Sequence, residues 1–215
     1  MLIRERMTRN PVLCTSDLPV NEAFDLMKKE RIRRMPVVDK GGKLVGIVSD
    51  KDLLRVSPSP ATTLSVFEIP YLLSKVKVND VMTKKVITVS EDTPIEDAAR
   101  IMVDNKIGGL PVINEAGAVA GIITETDIFK TFLELLGARK SGVRITMYVK
   151  DVRGELARVA QAVADVGGDI VATVGLPGTD STNYEILLKV TDVSKDAIVE
   201  ALKPIVVRIV DVREG

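Results

Sequence analysis

The chain repeats itself. Residues 7–55 align with residues 82–130 at a constant offset of 75, without a gap, and 13 of the 49 positions are identical. Met7-Thr8 falls on Met82-Thr83, Asp17 and Pro19 on Asp92 and Pro94, Ala23 and Met27 on Ala98 and Met102, and Ile32 on Ile107. Pro36-Val37 falls on Pro111-Val112, Gly42 on Gly117, Gly46-Ile47 on Gly121-Ile122, and Asp52 on Asp127. A fixed period of this kind means one supersecondary unit used twice. A unit of about 50 residues buries too little surface to be stable alone, so the two copies are expected to share a core.

Each copy predicts the order β-α-β-β-α. A first strand (residues 11–14 and 86–89) leads through an acidic turn to a helix. The helix carries an i, i+3, i+4, i+7 apolar stripe: Val20, Ala23, Phe24, Met27 in one copy and Ile95, Ala98, Ala99, Met102 in the other. Thr93, Pro94 and Glu96 read as a capping box with proline at the first helical position; the first copy has Leu18 in place of the threonine and is expected to cap through Asp17. A middle strand follows (35–38; 110–113), then a turn (39–42; 114–117), a third strand (43–48; 118–123) and a last helix opening near Asp50 or Glu125. Residues 56–75 join the copies. Ser57-Pro58-Ser59-Pro60 reads as a loop, and Pro70 leaves any helix over 63–74 short or broken.

Beyond a Gly- and Lys-containing linker at 137–142 the pattern changes. Strands are expected at 143–149, 169–176, 184–191 and 205–212, with helices at 155–166 and 194–202. That order, βαββαβ, is the ferredoxin-like arrangement. The fold class is therefore α+β. The domain plan is 1–55 and 76–136 for the two copies, 56–75 for their connection, 137–142 for the linker and 143–215 for the last domain.

Composition then removes whole classes of chemistry. The chain has no histidine, which excludes Ser-His-Asp and Cys-His catalysis and two-histidine metal sites. Its one cysteine, Cys14, can form neither an intrachain disulfide nor a thiolate zinc site, and is expected to be a small buried apolar residue. Low cysteine usage points to a reducing compartment, hence the cytoplasm. The start, Met1 to Asn10, is charged and has no apolar signal-peptide core, and no apolar run reaches the ~18 residues of a membrane span. Thirty basic residues balance thirty acidic ones, which argues against wholesale nucleic-acid binding. Residues 1–55 nonetheless hold twelve basic and eight acidic groups, with the surplus gathered at Lys28, Lys29, Arg31, Arg33 and Arg34.

The paired units resemble a CBS-domain pair, or Bateman module. The resemblance rests on Met-Thr at each start, on Arg33-Arg34-Met35-Pro36-Val37-Val38 and Gly108-Gly109-Leu110-Pro111-Val112-Ile113, and on Gly46-Ile47-Val48-Ser49-Asp50-Lys51-Asp52 and Gly121-Ile122-Ile123-Thr124-Glu125-Thr126-Asp127. The last domain resembles an ACT domain through Asp151-Val152-Arg153-Gly154-Glu155-Leu156, with Arg153 where that family usually has proline. The order CBS–CBS–ACT is similar to the acetoin-utilisation AcuB-like proteins. It implies a stand-alone regulatory protein, not an enzyme, because no catalytic domain is left over.

Ser49 and Thr124 sit where a strand gives way to a helix, a place whose free N–H groups favour phosphate. Asp52 and Asp127 follow three residues later, and the resemblance implies that their carboxylates accept ribose hydroxyls. Plain helix capping explains the same residues. The resemblance makes the backbone at Val12-Leu13 and Val86-Ile87 the adenine reader, and adds Pro36 and Pro111 to the site. Arg33, Arg34 and Lys51 are phosphate candidates; Gly108, Gly109 and Thr126 replace them in the second copy, so the two sites are expected to differ in phosphate preference. The expected ligand is an adenine nucleotide (AMP, ADP or ATP) or S-adenosylmethionine, without metal. In the ACT-like domain an effector would meet Asp151, Arg153, Gly154, Glu155, Asp169 and Ile170; the alternative is that Gly154 merely makes the turn and the domain serves dimerisation. A homodimer or larger homo-oligomer is expected, acting on an enzyme partner. Two other functions stay open: a structural dimer with degenerate sites, or metal-dependent nucleotide processing through Asp50/Asp52 or Glu125/Asp127.

Overall fold

The computed structural model describes residues 1–56 and 74–215. The expected loop at 57–60 and most of the 63–74 stretch lie outside the described residues. The chain divides into two compact units, Met1–Ile128 and Phe129–Gly215.

The first unit holds β1 (Thr8–Arg9), β2 (Cys14–Thr15), α1 (Val20–Glu30), β3 (Arg34–Val38), β4 (Leu44–Ser49), α2 (Asp50–Arg55), α3 (Val78–Val81), β5 (Val89–Ser90), α4 (Ile95–Asn105), β6 (Gly109–Ile113) and β7 (Val119–Thr124). The start of α5 (Glu125–Leu135) belongs to it as well. In each copy a short strand runs parallel to the middle strand, which pairs antiparallel with the third: β2 on β3 on β4, and β5 on β6 on β7. Alternating side chains fill two cores. One gathers Met27, Met35, Val37, Val48 and Leu53; the other gathers Met102, Leu110, Val112 and Ile123.

The copies exchange their leading segments. β1 belongs to the first copy by sequence but pairs with β7 of the second, Thr8 opposite Ile122. Its counterpart Thr83 bridges Ile47 on β4. The exchange continues upstream through backbone bonds that repeat at the offset of 75. The Ile3 N–H donates to Thr93 O at 3.0 Å and the Val78 N–H to Leu18 O at 2.9 Å; the Ile95 N–H donates to Met1 O at 3.1 Å and the Val20 N–H to Val76 O at 3.0 Å. Ile3 and Val78 are fully buried, each in the core of the other copy. Gly46 and Gly121 admit the crossing segments: a Cβ on Gly121 would stand 2.5 Å from Met7 Sδ and 2.9 Å from Thr8 O, and one on Gly46 would stand 2.4 Å from Met82 Sδ.

The exchange corrects two expectations. The first strands cover only Cys14–Thr15 and Val89–Ser90, not 11–14 and 86–89. Residues 10–13 must leave the edge of β7 in one sheet and reach β3 in the other, so they stay in neither ladder; residues 84–88 do the same in reverse. The helices also start differently. Pro19 and Pro94 are themselves the N-caps, and neither Asp17 nor Thr93 caps a helix. Thr93 Oγ1 instead accepts from the Ser90 N–H at 3.1 Å. No side-chain cap is needed at the first helical N–H, because the crossing segments' carbonyls at Val76 and Met1 take it. At their far ends α1 and α4 stop on Arg31 and Lys106, both left-handed, with φ of 54° and 53°. Glycine is the usual residue there, and a side chain in that conformation costs about 1 kcal/mol.

Cys14 is buried at 5% exposure, with Sγ 4.0 Å from Pro36 O. Burial pushes its thiol from the ordinary 9.0 up to about 11. Because the folded value is raised, the protonated thiol's contribution to stability is intact below pH 9.0 and is lost as pH climbs through about 11. Two consequences are expected: alkylation by iodoacetamide at pH 8 some ~100-fold slower than in the urea-unfolded chain, and a Cys14→Ala variant whose stability falls less steeply above pH 9. Equal alkylation rates would contradict both.

The second unit holds β8 (Val143–Lys150), α6 (Glu155–Asp165), β9 (Asp169–Pro177), β10 (Asn183–Thr191), α7 (Lys195–Leu202) and β11 (Arg208–Glu214), in the order βαββαβ. Its sheet is antiparallel throughout, ordered β11-β8-β10-β9. Ile145, Met147 and Leu188 on the sheet pack with Val159, Val163, Ile198 and Leu202 on the helices, all fully buried. The last strand begins at Arg208, not at 205, because Ile205 and Val206 donate their N–H groups back to Leu202 O and prolong the turn after α7. The division between units falls within α5, ahead of the expected linker at 137–142. Gly137 already packs on Val171 of the second unit. Among the described residues no helix is long and apolar enough to cross a membrane.

Candidate functional site

Two cavities in the first unit are related by the same offset of 75. One, of about 420 Å³, is lined by Thr8, Asn10, Pro11 and Val12, by Arg31, Ile32, Arg33 and Arg34, and by Ile122, Thr124, Thr126 and Asp127. The other, of about 440 Å³, takes Ile47, Ser49, Asp50, Lys51 and Asp52 with Thr83, Lys85, Val86, Ile87 and the loop Lys106–Gly109; Arg33, Arg34 and Glu125 complete it. We call them the Thr124 cavity and the Ser49 cavity. Each combines the strand-to-helix junction of one copy with the leading segment and pre-strand loop of the other. Neither copy owns a cavity. The segment exchange makes it so, since β1 lies on β7 and Thr83 on β4.

At each junction the hydroxyl and the carboxylate bond to one another. Ser49 Oγ donates to Asp52 Oδ2 at 2.6 Å and the Ser49 N–H donates to the same oxygen at 2.9 Å. The Asp52 N–H donates back to Ser49 Oγ at 3.3 Å, closing a capping box with aspartate as the acid. Thr124 repeats the pattern, with Oγ1 at 2.6 Å and N–H at 3.0 Å from Asp127 Oδ2. Capping and ligand binding are therefore compatible: the bonds to Ser49 engage one oxygen of Asp52, and the other, Oδ1, lies 3.9 Å from Arg55 Nη1.

Cations outnumber anions in both cavities. Arg31, Arg33 and Arg34 face Asp127 in one; Arg33, Arg34, Lys51, Lys85 and Lys106 face Asp50, Asp52 and Glu125 in the other. A ligand with an anionic tail suits either. Arg34 Nη2 lies 3.8 Å from Glu125 Oε2.

Of the residues singled out from sequence, Val12, Thr124 and Asp127 line the first cavity, Ser49, Lys51, Asp52, Val86 and Ile87 the second, and Arg33 and Arg34 both. Leu13, Pro36 and Pro111 line neither. The two prolines are buried in their sheets opposite Ile47 and Ile122. Lys28 lies over the Phe24 ring at 4.3 Å, consistent with a surface role. Sequence reasoning missed Asn10, Arg31, Lys85 and Lys106. Arg31 and Lys106 are partners at the offset of 75, and a basic residue kept at both helix ends was the available signal.

The second unit has its own cavity of about 300 Å³, at the turn from β8 to α6. Asp151, Gly154 and Glu155 line it, while Arg153, Asp169 and Ile170 do not; Lys150, Thr173 and Tyr184 were not foreseen. Gly154 is left-handed at φ 87°, and nothing stands within 4 Å of where its Cβ would be, so the requirement for glycine is torsional. Glu155 is buried at 4% exposure; Oε2 accepts from Arg158 at 2.9 Å, and Oε1 has no hydrogen-bond partner among the described residues. No cluster of three or more metal-ligating side chains is found among the described residues.

The family model described as "CBS domain" matches residues 3–59 and 78–134, more than half of the chain. The chain belongs to the CBS-domain family. The matched residues cover both copies, including the leading segments that cross between them. Among solved CBS structures, the CBS domain pair of protein MJ0100 in complex with 5′-methylthioadenosine and S-adenosylmethionine is 30% identical, with a TM-score of 0.51, covering 61% of this chain and 99% of that one. CBSX2 of Arabidopsis thaliana in complex with AMP is 30% identical, with a TM-score of 0.52, covering 65% and 98%. A candidate acetoin-utilisation protein, AcuB, from Vibrio cholerae is 31% identical, with a TM-score of 0.53, covering 65% and 95%.

Proposed function

We propose that this chain is a non-catalytic ligand-sensing regulator whose CBS pair binds an adenosyl ligand: AMP, ADP, ATP or S-adenosylmethionine. The observation that carries it is the duplicated hydroxyl–carboxylate pair, Ser49/Asp52 and Thr124/Asp127, each lining a cation-rich cavity. The Asp52 and Asp127 carboxylates suit ribose hydroxyls, Val12, Val86 and Ile87 supply the apolar wall for a purine, and Arg33, Arg34 and Lys51 reach an anionic tail. No metal takes part. Similar CBS pairs in complex with AMP, 5′-methylthioadenosine and S-adenosylmethionine support the ligand class.

The βαββαβ unit is an ACT domain on this reading, serving dimerisation or taking a small effector at the Gly154 turn. The domain plan 1–55, 76–136 and 143–215 follows from it. The protein acts in the cytoplasm as a homodimer or larger homo-oligomer, on an enzyme partner, and likeness to the Vibrio cholerae protein supports a link to acetoin utilisation. Mass spectrometry of small molecules released from the purified chain, followed by calorimetry with AMP and S-adenosylmethionine, tests the ligand class. Binding of either, lost on replacing both Asp52 and Asp127, is the expected result. Binding of neither at millimolar concentration overturns it.

A further inference from the structure

Resting on the adenosyl reading of these cavities, we infer that Arg34, with Arg33 beside it, is one phosphate clamp serving both cavities, so that phosphorylated ligands bind the two sites anticooperatively. The offset of 75 places Arg33-Arg34 opposite Gly108-Gly109. Each cavity takes the pre-strand loop of one copy. For the Thr124 cavity that loop brings two arginines; for the Ser49 cavity it brings two glycines. The Arg34 side chain occupies the space the glycines leave. A Cβ on Gly108 would stand 2.0 Å from Arg34 Nη2, and one on Gly109 would stand 3.2 Å from Arg34 Cδ. Arg34 therefore starts in the first copy, on the wall of the Thr124 cavity, and lies across the second copy in the Ser49 cavity.

What holds it there is weak. The pair with Glu125 is 3.8 Å long, and the Glu125 side chain is 58% exposed, the kind of contact worth little in water. A phosphate in either cavity offers a stronger, forked bond. A guanidinium committed to one phosphate is withdrawn from the other cavity, and the effect is reciprocal. Adenosyl ligands without an anionic tail, such as 5′-methylthioadenosine, make no claim on the clamp. The nature of the tail, not of the adenosine, thus decides whether the sites are coupled.

Calorimetry with AMP and 5′-methylthioadenosine on the full chain tests this. Asp127→Ala leaves the Ser49 site alone, and Asp52→Ala leaves the Thr124 site alone; Asp→Asn replaces either alanine variant that does not fold. Adding Arg34→Ala is expected to weaken AMP about tenfold in both single-site chains. In the parent, the second AMP is expected to bind about tenfold more weakly than the weaker single-site chain binds its own. 5′-Methylthioadenosine shows neither effect. If Arg34→Ala matters at one site only, or if the two parental AMP affinities match those of the single-site chains, the shared clamp is overturned while the adenosyl reading stands. If the parent binds neither compound, both fall.

Discussion

Ile3→Ala is expected to destabilise the first unit by about 2–5 kcal/mol, the range for an isoleucine truncated in a close-packed core. Ile3 is fully buried among Met7, Val89, Ala98, Met102, Leu110, Val112 and Ile123, all but one of them from the second copy. Val78→Ala, its partner at the offset of 75, should act in the same direction and by less, since less is removed. Glu5→Ala, exposed on the same segment, should stay within about 0.5 kcal/mol. Urea unfolding of the three variants checks this. An Ile3 variant as stable as the parent would show that the leading segment does not hold the second copy together.

Replacing Asp52 or Asp127 by asparagine should weaken an adenosyl ligand at that site by about 1–3 kcal/mol, roughly five- to 150-fold, because a neutral amide takes the place of the charged acceptor for the ribose hydroxyls. Asparagine is the informative choice. Its remaining carbonyl can still accept from the Ser49 or Thr124 N–H, so the capping bonds of 2.9 and 3.0 Å survive. Stability should therefore move little while affinity falls. Calorimetry alongside thermal unfolding separates the two. Full affinity in both variants would reduce these carboxylates to helix caps.

The repeat, the two helix stripes and the three-residue spacing of hydroxyl and carboxylate were all legible in the sequence, because side-chain identity carries them. So was the order of elements in the second unit, whose strands and helices each show their own apolar period. The segment exchange was not. It is held by main-chain bonds such as Ile3 N–H to Thr93 O and Val78 N–H to Leu18 O, which any residue but proline can make. Missing it led to the misassigned strands at 11–14 and 86–89 and to the expected caps at Asp17 and Thr93. It also hid Lys85, which follows the second copy's crossing segment into the Ser49 cavity. The spacing of Ser49 and Asp52 was visible; that their cavity is closed by the other copy was not.

The exchange also sets the order of events as the chain is made. Residues 1–9 are synthesised ahead of the residues they pair with, since their places are beside Glu91, Thr93 and Ile122. They must wait until more than a hundred further residues have emerged. The first copy is likewise incomplete until Val76 and Val78 arrive to bond Val20 and Leu18. Two repeats that look modular in sequence are thus high in contact order, and neither can close by itself on the ribosome. Folding of the pair is expected to be one late, slow event, with the waiting segment and its buried-to-be Ile3 the part exposed longest to chaperones.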